Sequence, residues 1–329
     1  MRIEKIQKNL SKNMIWYTLL AIVFGIVLGY YFNLKLLSKY ILFVVFVMIY
    51  PMMANISLSN LRKVRGSTKP LITALILNFI YAPLFIYALS SIFIHDPQIK
   101  LGLMLLSIAP SSSMGLGYIG LAEGHMLSGA IIVAFAFIAS IFIYPIAGSY
   151  FVGLANLNVP TGLILKNLLL ILAVPLILGI ATREYIERKH EAGTFEKVKP
   201  YFSTITLSAL YLLIFIIFAS KANLIVKNWQ EVLLIAPVAL IYYTFTIWLF
   251  LHINKRIMKL DYGQHQAVVF TSISKNVALT IAILVAIFGE KGMYMSIAPA
   301  IVALFQAPIL MIYLHLSHHV RRHFEKVIK

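Results

Sequence analysis

Apolar residues run along the chain in blocks of about 20, the length an α-helix needs to cross a bilayer, and each block is closed by polar or basic positions. Ten blocks fall at roughly 14–32, 37–56, 70–94, 99–122, 126–152, 163–182, 201–222, 232–253, 266–289 and 293–316. The pattern predicts an all-α polytopic membrane protein with ten transmembrane helices. Two blocks are interrupted. The fourth contains APSSSMGLGYIG, with Pro110, Ser111, Ser112, Ser113, Gly115, Gly117 and Gly120. The ninth contains TSISKNVALT, with Thr271, Ser272, Ser274, Lys275 and Asn276. Backbone groups freed in such stretches cannot face lipid, so both must line protein or a water-filled cavity. Taken alone, the fourth block reads equally well as a proline kink whose serines bond back to their own turn; the matching break in the ninth favours a binding site.

Ten spans divide into fives at the uncharged loop Gly153 to Gly162. Five is odd, so a related second half enters the membrane in the opposite orientation, which is the arithmetic of an inverted-topology repeat and a common plan of secondary transporters. The interrupted spans are then the fourth of each five. This organisation predicts an N-terminal segment over 1–13, a first repeat over 14–152, a linker over 153–162, a second repeat over 163–316 with a basic loop at 183–200, and a basic tail over 317–329.

Composition agrees. Of the 329 residues 61 % are hydrophobic and 12 % charged, with mean hydropathy +0.90, whereas soluble domains carry about 25 % charged residues. Residues 1–13 are basic and polar and lack a cleavable signal pattern, so the first span is expected to be a permanent anchor. There are no cysteines, which removes disulfides, thiolate metal sites and thiol nucleophiles. The net charge of +17 suggests nucleic acid until its distribution is read. The N-terminus, the 2–3, 6–7 and 8–9 loops and the C-terminus hold most of the Lys and Arg; Lys35, Lys39, Lys100, Lys166, Lys221, Lys227 and Lys291 lie on the other face. The positive-inside rule therefore predicts a multi-pass protein of the cell membrane with both termini cytoplasmic, and no nucleic-acid partner.

Lys275 belongs to neither face. Central charges cost about 2.5–3.5 kcal/mol on the insertion scale, so a functional role is the default, with a structural role at the helix break or snorkelling to an interface as the alternatives. An ammonium carries the same unit charge as sodium and donates three hydrogen bonds, for which Thr271, Ser111 to Ser113, Asn276 or freed carbonyls are the expected acceptors. A lysine there could also load and unload a proton during a transport cycle. Positive charge near half-helix N-termini favours an anionic substrate. Asn78 and Gln306 are further candidates near the cavity, each equally able to serve as an interhelical hydrogen bond. His315, His318, His319 and His323 read as a basic tail rather than a metal site. Trp16, Tyr17, Tyr30, Tyr31, Trp229 and Trp248 read as interfacial belts.

The chain resembles the bile acid:sodium symporter superfamily, and in places its arsenite-efflux branch. The likeness lies in MIYPMM (Met48 to Met53), NFIYAPL (Asn78 to Leu84), GLAEGH (Gly120 to His125), SKNVALTIAILVAIFG (Ser274 to Gly289) and FQAPILM (Phe305 to Met311). It implies two inverted five-helix repeats arranged as panel and core domains, with discontinuous helices 4 and 9 crossing at mid-membrane. The departures are as informative. The position of the arsenite branch's span 4 cysteine matches Ser111, and a hydroxyl is a poor ligand for a soft centre. The Ser-Asn pair of the sodium-coupled members matches Gly115 and Leu116, their Glu matches Thr271 and their Gln matches Lys275, leaving Asn276 alone retained. Sodium is therefore not expected at the usual family sites, since no Asp or Glu lies within any span.

The resulting expectation is a secondary transporter of a small organic anion, working by alternating access, with Lys275 in place of sodium, proton coupling possible and no cofactor. A sodium-coupled bile-acid-type symporter and an arsenite or antimonite efflux permease are the alternatives within the class. Outside it, a retinal-type photoreceptor could use Lys275 for a Schiff base but lacks a buried carboxylate counter-ion. No HExxH, intramembrane aspartate pair or GxSxG elbow points to an enzyme.

Overall fold

A computed structural model describes residues 2–32, 34–54, 64, 66–112, 114–154, 161–189 and 193–325, with the backbone alone for residues 2 and 161–173. The protein is all-helical, with no β-strand among the described residues. Helix α1 (Arg2–Lys12) leads through Asn13 into α2 (Met14–Tyr31), and a 3-10 turn, Leu34–Tyr40, into α3 (Ile41–Ala54). A π turn, Leu77–Tyr81, joins α4 (Thr68–Ile76) to α5 (Ala82–Phe93). Next come α6 (Pro97–Ser107), α7 (Met114–Leu121), α8 (Met126–Leu154), α9 (Thr161–Lys189), α10 (Thr194–Ser220) and the short α11 (Ala222–Lys227). The chain ends with α12 (Trp229–His252) and its π turn Ile253–Ile257, α13 (Tyr262–Ile273), α14 (Val277–Met295), α15 (Ile297–His315) and α16 (Ser317–Glu325).

Eight helical stretches among the described residues are long and apolar enough to cross a membrane: α2, 34–54, 68–93, α8, α10, 229–257, α14 and α15. The fourth apolar block is divided between α6 and α7, and the ninth between α13 and α14, each with non-helical chain between its halves. Both first halves start on an aspartate outside the block. Asp96 Oδ1 accepts from the backbone N–H of Gln98 (2.7 Å) and Ile99 (3.1 Å), and Asp261 Oδ1 from that of Gln264 (2.7 Å). The ninth block ends where expected: within α14 the helix breaks at Gly289 (φ 55°, ψ −123°), and a separate short helical stretch follows to Met295. The positive φ suits glycine, which has no Cβ to clash. Residues 155–160 of the expected linker, 190–192 of the basic loop and 326–329 of the tail lie outside the described residues.

Two groups of helices meet at the break. Helix α10 is the spine of one, packed along α2, α3 and α9; α13 is the centre of the other, surrounded by α4, α7, α8 and α12, with α12 against α5 and α15. Helix α14 packs on α6 and α15 and also reaches α3 and α9. Lipid tails are as apolar as leucine, so close backbone approach supplies much of the packing. Gly25 and Gly29 show it: a Cβ built on Gly29 would lie 2.1 Å from Ala219 O and 2.6 Å from Ala219 Cα. Trp16, Tyr30, Tyr31, Trp229 and Trp248, all placed toward helix ends, are exposed.

Gly29→Ala is expected to force α2 off α10 and cost about 1–3 kcal/mol. Gly153→Ala, where a Cβ meets nothing within 4 Å, should be neutral. Thermal unfolding of the two variants in detergent measures the difference.

Candidate functional site

The breaks in the two divided spans lie against each other. Pro110 has no N–H and cannot extend α6, so the chain there is free to bond across. It does so as a short antiparallel pairing: Ser112 N donates to Ser274 O (2.6 Å) and Asn276 N to Pro110 O (3.0 Å), with Ser111 opposite Lys275. Each half-helix thus satisfies part of the other's freed backbone, in an environment with no water to do it. Asn276 then opens α14, its Oδ1 accepting from Leu279 N (3.0 Å), while its Nδ2 donates to Met52 Sδ (3.3 Å).

Lys275 is 2 % exposed. Its Nζ donates to Ser107 O (2.7 Å), Asn78 Oδ1 (2.8 Å) and Asn78 O (3.1 Å), with Ala109 O at 3.5 Å. Two sources supply these acceptors. Ser107 O and Ala109 O lie at the C-terminal end of α6, where carbonyls have no helical partner and the helix dipole favours a cation. Asn78 sits in the π turn, whose wider hydrogen-bond spacing leaves a carbonyl available. All four oxygens are neutral, of the type a hard cation uses, and the ammonium is held among them. No described carboxylate pairs with Lys275, so in its ammonium form the assembly keeps a net positive charge.

Gln306 fixes the backbone of Lys275 as firmly as the carbonyls fix its side chain. Gln306 Oε1 accepts from Lys275 N (3.0 Å) and from Tyr243 OH (3.0 Å), and its Nε2 donates to Lys275 O (3.3 Å). Asn78 Nδ2 reaches on to Ser111 Oγ (3.3 Å). Lys275, Asn78, Ser111, Ser112, Ser274, Asn276 and Gln306 are therefore gathered into one constellation.

The expected acceptors differ in detail. Thr271 does not reach the lysine: its hydroxyl turns back on Ala267 O (2.6 Å) within its own helix. Asn276 caps α14 instead, and the Ser111 hydroxyl is linked to the lysine's ammonium through Asn78. Ser113 lies outside the described residues. The hydroxyls of Ser272 and Ser274 are buried without a partner. A small cavity beside Lys275, bounded by Leu103, Leu106, Ser107, Tyr242, Tyr243 and Val302, has room for about one water. Organic ligands need several hundred Å³, so this cavity is too small to hold one.

Sequence reasoning missed Ser107, Ala109 and Tyr243. The first two act through backbone carbonyls, which leave no side-chain signature, although Pro110 marks the place where such carbonyls go free. Tyr243 sits among other aromatics of α12 and has no signal of its own. Among the described residues no three His, Asp or Glu side chains converge as a metal site.

Lys275→Met leaves several buried carbonyl oxygens without a donor and is expected to cost on the order of 3 kcal/mol or more. Thr271→Val removes one local hydrogen bond and is expected to cost about 1 kcal/mol. Unfolding midpoints of the two variants in one detergent check the ranking.

A family model described as the Sodium Bile acid symporter family matches residues 42–228. The chain is 28 % identical over 287 residues to an uncharacterized transporter of Synechocystis sp., a match covering 81 % of this chain and 74 % of that one. It is 25 % identical over 297 residues to the arsenical-resistance protein Acr3 of Alkaliphilus metalliredigens, covering 87 % and 83 %. The Acr3 protein of Corynebacterium glutamicum is 25 % identical over 276 residues, covering 80 % and 74 %.

Proposed function

The chain belongs to the Sodium Bile acid symporter family and is a multi-pass membrane transporter, and we propose that it moves a small organic anion across the cell membrane by alternating access, without sodium. The observation that carries this reading is the set of neutral oxygens, Asn78 Oδ1, Asn78 O, Ser107 O and Ala109 O, around Lys275 Nζ. A tethered ammonium there does the electrostatic work of a dissociable cation.

The proposed plan is ten spans in two inverted repeats, with α6–α7 and α13–α14 as the fourth and ninth spans crossing at mid-membrane. Their matching aspartate caps and mutual backbone pairing support it. The α10 group then forms the panel domain and the α13 group the core domain, and opening between them gives access to the crossing. An anion is favoured for three reasons. Positive charge at Lys275 has no carboxylate to cancel it, the N-termini of α7 and α14 lie at the crossing, and Ser272 and Ser274 hold unused hydroxyls.

The Acr3 relatives raise an arsenical substrate as a second reading. Ser111 stands where the arsenite branch is expected to carry a thiol, and the chain has no cysteine, so a soft As(III) centre lacks its preferred ligand. An organic anion suits the hydroxyls and amides better.

Uptake into proteoliposomes, tried with a panel of carboxylates, sulfonates, bile salts and arsenite, tests the reading. Transport of an organic anion is expected to be unchanged when potassium replaces sodium, to respond to an imposed proton gradient, and to be lost in Lys275→Gln. Strict sodium dependence refutes the role given to Lys275 while leaving a transporter; transport of arsenite alone refutes the substrate class.

A further inference from the structure

Helix α1 carries Ile3, Ile6 and Leu10 on one side and Lys5, Lys8 and Lys12 on another. Its inner side is fastened to the α10 group: Tyr211 OH donates to Leu10 O (2.8 Å), and the Tyr17 and Tyr211 rings lie 5.5 Å apart. Helix α1 breaks from α2 at Asn13 (φ −100°, ψ 24°), where Asn13 N donates to Asn9 O (3.0 Å) and Tyr17 N to Asn13 O (3.0 Å).

The lysines lie on the side of α1 opposite the one fastened to the α10 group, so they point away from it. At about 100° per residue, Lys5, Lys8 and Lys12 fall in a stripe about 60° wide on α1, and Trp16, Leu20, Val23 and Val27 in a stripe about 60° wide on α2. Trp16, Leu20, Val23 and Val27 are all large apolar side chains left exposed on a spanning helix, so the α2 stripe faces lipid. The three lysines lie beyond the apolar core, all exposed. Trp16, 67 % exposed and one turn from Lys12, marks the level where tryptophan prefers to sit, between tails and headgroups. Glu4 is the single acidic residue of α1 and lies off the lysine stripe. None of the three lysines takes part in an ion pair among the described residues.

We propose that Lys5, Lys8 and Lys12 form a headgroup site for anionic phospholipid, with Trp16 against the upper acyl chain. Phosphodiester oxygens at headgroup level offer acceptors to three ammonium groups whose stems run along the helix surface toward them, and the attraction adds up across neighbouring cations. A neutral zwitterionic lipid presents the same phosphate with its charge already balanced.

The test uses the full chain with Trp229→Phe and Trp248→Phe, leaving Trp16 as the single tryptophan, in lipid nanodiscs of phosphatidylcholine and phosphatidylglycerol. One set carries bromine on the phosphatidylglycerol chains and the matched set carries it on an equal fraction of the phosphatidylcholine. Trp16 emission is expected to be quenched about twofold more, or better, by brominated phosphatidylglycerol, and the excess should vanish in Lys5→Gln/Lys8→Gln/Lys12→Gln. Equal quenching by both lipids with the lysines present, or an excess that survives their replacement, overturns the proposal. The comparison can be repeated without the tryptophan changes, as phosphatidylglycerol retained per protein after solubilisation from an equal mixture. There the chain with its lysines should keep an excess that the triple variant loses, and equal retention overturns the proposal too.

Discussion

The ammonium of Lys275 and the carbonyl oxygens around it join parts of the chain that have no other reason to stay together. Ser107 O and Ala109 O end one half-helix, Asn78 belongs to a π turn of another rod, and the lysine begins the break in a third. Each carbonyl is free because a helix stops or widens there, and in a bilayer such groups have no water to turn to. One side chain with three N–H donors answers most of that need. The backbone pairing of 110–112 with 274–276, and the Gln306 amide on both sides of Lys275, complete the junction. Removing the charge therefore disturbs three helices at once, whereas removing a neighbouring hydroxyl such as that of Thr271 disturbs a single turn.

On the proposed function, the lysine stands where a dissociable cation would bind. A dissociable cation needs a site that binds and releases, and a carboxylate helps it do so. A cation covalently tethered to α13–α14 needs only neutral oxygens, and these are what surround it. No described carboxylate pairs with it, and its Nζ sits on the carbonyls that end α6. The cavity beside it, lined from α5, α6, α12 and α15, has room for about one water.

Much of this could be read from the sequence, for identifiable reasons. Pro110 with its serines, and Lys275 in an otherwise apolar block, announced the two breaks because both violate the pattern a membrane helix must keep. Asn78 and Gln306 stood out as amides at membrane depth, though a packed interhelical bond was an equal expectation. What could not be read was pairing. Asn78 and Lys275 are separated by 197 residues, and the carbonyls of Ser107 and Ala109 have no identity in a sequence. Glu290 and Lys291 marked the end of the ninth block at 289, and the positive φ of Gly289 is where its helix breaks. Ser272 and Ser274 were legible as polar positions but not as hydroxyls left without a partner.

The claim that the lysine occupies a cation's place is tested most directly by emptying that place and offering sodium. Lys275→Ala keeps every oxygen acceptor and removes the tether. Thermal unfolding of the variant and of the parent chain in sodium chloride and in potassium chloride, at equal ionic strength, gives the readout. The account predicts that sodium raises the midpoint of Lys275→Ala above its value in potassium, by binding the folded form, and leaves the parent chain unchanged. A parent chain that is itself stabilised by sodium, or a variant indifferent to the choice of cation, contradicts it.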